Sequence, residues 1–418
     1  MIINYKLEAM KTRLLFLFLL SSIFSFSQTD SGNLEDYLVS KVNNAPGNSG
    51  NDFVNPNNSD LTDWGEIIEN ILNGNINTAR GSADNFNYRI VEYTDTAFSS
   101  NDVYYILEEK NSQANYWGTF VFAKNPTREL ILQAPHIKYD TNTGKQAIYS
   151  FVRLNNRALL LSGTHRCNHS SASSCSGTTS ACSSSSQAFR ISDMAHNGVT
   201  AFQKTTEIIH NTISSSFFIQ LHGFSKSSSD PYVIISNGTT IAPSGRDYAL
   251  DLKNGLASAD GSLTFKIGHI DNWTRLIGTT NTQGRFINNS GNPCTTAANT
   301  STGRFVHVEQ EKSKLREDSS GWDKMFQALK NSFAATANID DFSKQVYFKT
   351  ENPFKNNISF TGNNISKFAI YNTLGKLILE QKIENNKVSL DTKNFTSGIY
   401  FLKVQTDKGS VSKKLIRE

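Results

Sequence analysis

Three short segments carry residues that together can build a hydrolytic metal centre. Glu129–Asp140 (ELILQAPHIKYD) reads as an apolar strand running into a Pro-His turn, with His136 and, four residues on, Asp140. Phe217–Phe224 (FFIQLHGF) is a second apolar strand, ending on His222 and Gly223. Arg304–Asp318 (RFVHVEQEKSKLRED) is a third, ending near Glu309. A zinc hydrolase needs two imidazoles and a carboxylate at three corners of a tetrahedron, with the fourth left to water. That assigns His136, Asp140 and His222 to the metal. A carboxylate at a strand end opposite the metal suits the general base, which is Glu309, with Glu311 as the alternative. Gly223 lets the backbone approach closely.

Two further motifs lie between these segments, and a third just before the last. Gly163–His169 (GTHRCNH) follows a strand at Ala158–Leu161. Its Arg166 can hold a substrate carboxylate with a bidentate fork, or pair with Asp193. Ser192–Asn197 (SDMAHN) offers Asp193 and His196 to a substrate; alternatively Asp193 or Asn197 caps the helix that follows. Thr279–Arg285 (TTNTQGR) is a polar turn whose Arg285 is a further substrate-binding candidate. There is no G-x-S-x-G elbow, P-loop or G-x-G-x-x-G, which argues against serine hydrolase chemistry and nucleotide use.

These residues need a scaffold that brings distant strand ends together. Apolar or alternating runs at Val103–Leu107, Tyr116–Phe122, Leu130–Gln133, Ala158–Leu161, Phe217–Leu221 and Tyr232–Ile235 read as strands. Helical patterns fall at Asp60–Leu72, Thr200–Ile213, Asp247–Leu256 and Trp322–Phe333. Alternation of the two predicts an α/β body over 86–340, a mixed sheet with helices on both faces, whose strand ends are the natural place for a site. Residues 28–85, rich in Asn, Ser, Gly and Asp at their start, read as a loose leader with one helix. After a linker at 341–351, residues 352–418 hold only short strands and turns, with hairpin signals at Asn372–Gly375 and Asp407–Gly409. They predict a small all-β sandwich.

Composition places the chain outside the cytoplasm. The 418 residues carry a net charge of +4 and 38% hydrophobic residues. The first 27 residues contribute +2 and residues 352–418 contribute +6, leaving a body of −4. A mildly acidic body lacks the basic face that nucleic acid demands. Residues 1–27 read as a secretory signal: Lys11 and Arg13, then apolar Leu14–Phe26, with Ser25 and Ser27 spaced for cleavage after Ser27. Met10 is an alternative start, and an uncleaved anchor an alternative fate. No other apolar run approaches the ~18 residues of a membrane span. The four cysteines, Cys167, Cys175, Cys182 and Cys294, suit disulfides in three possible pairings, with at least one stapling the Ser-rich stretch 170–186.

The tail resembles the C-terminal sorting domain of the type IX secretion system of Bacteroidetes. NPF (Asn352–Phe354), IYNTLGK (Ile370–Lys376), SGIYFLKV (Ser397–Val404) and KKLI (Lys413–Ile416) carry that resemblance in order. It implies recognition by the type IX machinery, transport across the outer membrane, and a secreted or surface-held product. The body, over roughly 90–335, resembles the zinc carboxypeptidase fold and its amidohydrolase relatives of the N-formylglutamate amidohydrolase and poly-γ-glutamate hydrolase types. QAPH…D (Gln133–Asp140) then supplies two ligands, QLHG (Gln220–Gly223) the third, and HVEQEKSKLR (His307–Arg316) the catalytic Glu and an Arg. The family spaces its first pair as His-x-x-Glu, whereas this chain has His136-x-x-x-Asp140. The resemblance implies a zinc-dependent hydrolase acting on a peptide or amino-acid amide. The alternative is a surface binding or adhesion protein with a degenerate, metal-free fold.

Overall fold

A computed structural model describes residues 28–110, 113–335, 346–348, 352–362, 364–383, 387–406 and 409–418. The expected signal segment 1–27 lies outside the described residues, as does most of the expected linker. The chain divides into two compact units, with the boundary at Ala335/Thr336.

The first unit is built on a ten-stranded sheet. Its strands are β1 (Thr29–Gly32), β2 (Tyr88–Asp95), β3 (Val103–Glu109), β4 (Thr119–Ala123), β5 (Arg128–Ala134), β6 (Asn156–Leu161), β7 (Phe217–Gly223), β8 (Val233–Ser236), β9 (Phe265–Ile267) and β10 (Phe305–Gln310). The spatial order is β1-β2-β3-β4-β6-β5-β7-β10-β8-β9. The central run β6-β5-β7-β10 is parallel, and β2–β4 and β8 join through antiparallel ladders.

Side-chain alternation divides the core into two layers. Leu130 and Leu132 of β5, Ile219 and Leu221 of β7, and Val306 and Val308 of β10 point to one face. That face is covered by helices α1 (Leu34–Asn44), α4 (Thr143–Leu154), α6 (Tyr248–Ala259) and α7 (Ser319–Ser332). Ile131, Phe218 and Phe305 point to the other face, beneath α2 (Asn58–Leu72), α3 (Ile76–Asp84) and α5 (Ala201–Thr212). The mixed sheet with helices on both faces is therefore present. Trp64 of α2 anchors the second layer, fully buried against Tyr88, Trp117 and Phe120 at 4.9–5.4 Å between ring centroids. Its indole N–H donates to Thr205 Oγ1 of α5 at 2.9 Å, so this buried polar group is satisfied.

The leader departs from its sequence reading. Residues 28–85 form three helices and an edge strand rather than a loose segment with one helix. Asn33 caps α1 by accepting from the Asp36 amide, and Leu34, Leu38 and Val42, four residues apart, bury fully on the sheet. β1 has no apolar residue to announce it; its parallel ladder with β2 is a backbone interaction. The irregular stretch between α1 and α2 is held by the buried Asn168. Its amide donates to Gly47 O and Ser49 O and accepts from the Asp52 and Phe53 amides.

Both cysteine pairings are resolved: Cys167 with Cys182, and Cys175 with Cys294. Their partners stand 15 and 119 positions apart in the sequence. Thiol titration of the unreduced, denatured chain should find no free thiol. In the chain-entropy picture each bridge contributes about 3–5 kcal/mol. Four reactive thiols in protein isolated from the exterior would contradict this.

The second unit holds a three-stranded sheet, Val346–Phe348 with Asn357–Gly362 and Lys387–Asp391, and a four-stranded sheet. The latter runs Leu377–Lys382, Ile365–Asn372, Gly398–Thr406, Gly409–Arg417. Its first strand, Val346–Phe348, lies inside the segment expected to be a linker, and a short run of Val, Tyr and Phe is strand-prone. Phe354, Phe360, Phe368, Ile370, Leu402 and Val404 form its core. The expected hairpin turn is present: Asn372 N–H donates to Lys376 O, and the Asn372 side chain accepts from the Leu374 and Lys376 amides. Gly375 takes a positive φ of 76° there. The second expected turn, at Asp407–Gly409, falls partly outside the described residues.

Candidate metal centre

Parallel register puts two of the expected residues side by side. Glu309 of β10 pairs with His222 of β7, and Gln133 of β5 pairs with Gln220 of β7. By alternation, His222, Glu309 and His307 all project to the α5 side of the sheet, near the carboxyl ends of the parallel strands. His136 lies just beyond β5. The Asp140 amide donates to His136 O at 3.0 Å, closing one helical turn. An i, i+4 pair on such a turn shares a face, so the four-residue spacing places both side chains together.

Three buried atoms meet at one point. His136 Nδ1 lies 3.1 Å from Asp140 Oδ2 and 3.1 Å from His222 Nδ1, and His222 Nδ1 lies 3.2 Å from Asp140 Oδ2. The far nitrogen of each ring fixes its tautomer. His136 Nε2 faces Asp193 Oδ1 at 2.8 Å, and a carboxylate only accepts, so Nε2 carries the hydrogen. His222 Nε2 faces Gln220 Oε1 at 2.7 Å, so it too is the donor. Two imidazole lone pairs and a carboxylate oxygen thus face one another with no donor among them. Such a triangle repels itself unless a proton or a cation sits within it. Four tetrahedral ligands at ~2.0–2.1 Å stand about 3.3 Å apart, close to the edges seen here. The donor set of two nitrogens and one oxygen fits a borderline dication such as zinc.

The outer contacts are built as firmly as the triangle. Gln220 Nε2 donates to Gln133 Oε1 and Gln283 Oε1, and Asn281 Nδ2 donates to Gln220 Oε1. Gln283 is in turn held by Met194 O and Gln203. Asp193 receives His136 and His196 on one oxygen and Arg166 on the other. Replacing Gln220 with Leu removes the acceptor that fixes the His222 tautomer. Metal affinity should fall 10–100-fold, read by competition with a chromogenic chelator. Unchanged affinity would remove Gln220 from this role.

The charges follow from burial and neighbours. Burial pushes the Glu309 carboxyl up to about 8, with the charge of Asp140 adding to it. Glu309 Oε2 has no hydrogen-bond partner, and Oε1 lies 3.7 Å from His307 Nε2. Burial lowers His222 to about 4, against the opposing pull of Asp140. Burial and Arg166 push His136 down, but Asp193 and Asp140 outweigh them and raise it. Asp140 is held well below the usual carboxylate range by His136 and His222, in spite of its burial.

The structure brings His136, Asp140, His222, Glu309, Arg166, Asp193 and His196 into one neighbourhood. Most of them line a cleft of about 260 Å³. Asp193 and Arg166 form the ion pair weighed as one of the two readings of the sequence. Neither Asp193 nor Asn197 caps α5; Thr200 does, accepting from the Gln203 amide at 2.9 Å. Arg285 stands apart. Its Nε donates to Thr279 O and its Nη1 to Cys294 O, so it fastens two loops together rather than facing the cleft. Glu311 also stands apart, capping the short helix Lys312–Leu315 through the Ser313 and Lys314 amides. His307 and Gln220 went unassigned in the sequence, although strict alternation with Glu309 and His222 marks both.

Comparison with known proteins assigns the tail. Residues 352–418 match the secretion system C-terminal sorting domain, so this module is a type IX sorting signal that directs the protein to the cell surface or exterior. The match covers the tail alone. No curated protein matches the chain. Among solved structures, a candidate carboxypeptidase A from Shewanella denitrificans OS-217 is similar at 12% identity and a TM-score of 0.29. That similarity covers 51% of this chain and 60% of the other. The endo-β-1,4-mannanase from Thermotoga petrophila is similar at 12% identity and a TM-score of 0.14, over 51% of this chain and 42% of the other. Among the described residues no helix is long and apolar enough to cross a membrane.

Proposed function

We propose that the first unit is a zinc-dependent amide- or peptide-bond hydrolase that works outside the cell. The observation that carries this reading is the triangle of His136 Nδ1, His222 Nδ1 and Asp140 Oδ2, with edges of 3.1–3.2 Å and both tautomers set from behind. His136, Asp140 and His222 would hold a zinc ion there, which would supply a water with its pKa lowered towards ~7 and a Lewis acid for an amide carbonyl.

The remaining work falls to side chains of the chain. Glu309, in register with His222, takes the proton of the attacking water and returns it to the leaving nitrogen. Its burial without a partner at Oε2 leaves it free to do both. Arg166 Nη1 lies 3.5 Å from His136 Nδ1, where a guanidinium stabilises charge developing on the carbonyl oxygen. Asp193 holds Arg166 and His136 in that relation, and Gln220 holds His222.

Metal analysis of the purified protein tests the reading. We expect one equivalent of zinc per chain, removed by a strong chelator together with amide hydrolysis and restored by zinc. A chain that takes up no divalent metal from a zinc buffer would overturn it.

A further inference from the structure

This inference rests on the hydrolase reading and narrows its substrate. A carboxypeptidase-type substrate carries a free α-carboxylate on the leaving residue. That group sits one residue's backbone beyond the scissile carbonyl and needs a cation of its own, best a guanidinium fork. The sequence offered Arg166 and Arg285 for the task. The structure places neither there. Arg285 spends its N–H groups on Thr279 O, Pro293 O and Cys294 O. Arg166 gives one arm to Asp193, and its other arm lies beside His136 Nδ1, over the metal triangle. It is placed for the carbonyl oxygen rather than for a group further along the substrate.

The rest of the cleft wall offers no second guanidinium or ammonium. Among the described residues that line it, Arg166 is the one Arg or Lys. The 178–189 segment contributes Thr178, Thr179 and Phe189, and the 274–280 segment contributes Leu276, Thr279 and Thr280. His196 has one nitrogen committed to Asp193 Oδ1 at 3.0 Å and its ring stacked on Phe189 at 3.8 Å. Hydroxyls and an aromatic face meet amides and hydroxyls well. A desolvated carboxylate left without a partner there would be strongly unfavourable. We infer that the cleft takes an amide whose leaving amine bears an uncharged, hydrogen-bonding substituent, an internal or blocked amide, and not a free C-terminal residue.

Two hydroxamate probes test this by binding to the zinc-loaded full chain in calorimetry. They differ only at the carbon beside the chelating group, which carries a carboxylate in one and a carboxamide in the other. The expected result is a carboxamide affinity equal to or greater than that of the carboxylate. Tighter binding of the carboxylate overturns the inference while leaving the hydrolase reading intact; a matched guanidinium would make the preference tenfold or more. A chain that fails the preceding zinc titration overturns both, so the two failures are told apart.

Discussion

His222→Ala should give a folded protein that holds no metal. The triangle loses one of its three vertices, and two ligands on one helical turn, His136 and Asp140, remain. Losing an outer partner of a metal ligand costs 10–100-fold in affinity; losing the ligand itself must cost more. Zinc content should drop from one equivalent per chain to a trace, and amide hydrolysis should go with it. Folding should survive, because the ring projects away from the layer of Leu130, Ile219 and Val306 that packs the opposite face of the sheet. Thermal unfolding of the chelated wild type and of the variant should therefore nearly coincide. Retention of a full equivalent of zinc by a folded His222→Ala protein would end the assignment.

Glu309→Gln should separate metal from turnover. The amide matches the carboxyl in shape but cannot accept the proton of the attacking water. Zinc content should stay at one equivalent, while kcat falls on the order of 10²–10⁴-fold, the usual worth of a positioned general base. KM should change little, because Glu309 moves a proton during turnover rather than holding the substrate. A variant that loses its zinc would make Glu309 a ligand, together with His222 and His307, which also lie within ligand range of one another. A variant with wild-type turnover would leave the general base to be found elsewhere.

The parts of the centre that were legible in the sequence share one property. His136, His222 and Glu309 stand at the ends of apolar runs, and parallel strands in a sheet bring such ends to one edge. Asp140 was legible from its distance to His136. One helical turn brings residues three or four apart onto one face. Gln133 and Gln220 were hidden because each interrupts an apolar strand by one polar residue. Only the pairing of β5 with β7 shows that the two amides meet.

Arg285 misled for the opposite reason. A polar turn ending in Arg looks like a binding loop, and only the position of Cys294 shows which carbonyls claim the guanidinium. In the scaffold, the apolar strands β3 to β8 and the amphipathic helices α2, α5, α6 and α7 were legible, whereas β2 and α4 went unread. The leader was not, because α1 buries only Leu34, Leu38 and Val42 among polar neighbours and β1 has no apolar residue. Its order comes from a distant residue, Asn168, whose side chain supplies hydrogen bonds that the local sequence lacks. In the second unit, turn chemistry at Asn372–Gly375 was read directly. There local rules and tertiary structure agree.

The two disulfides bear on when the cleft is complete. The segment that carries Thr178, Thr179 and Phe189 has only a two-residue ladder of its own, Thr178–Thr179 with Gln187–Ala188. One bridge spans Cys167, next to Arg166, and Cys182; the other ties Cys175 to the distant Cys294. The triangle of His136, Asp140 and His222, by contrast, belongs to the sheet and the turn after β5. In a reducing cytoplasm thiols stay unpaired. Until the cysteines pair, the segment that carries Thr178, Thr179 and Phe189 has only that short ladder to hold it. On the proposed hydrolase reading, pairing of the four cysteines therefore fixes the wall of the cleft rather than the metal ligands.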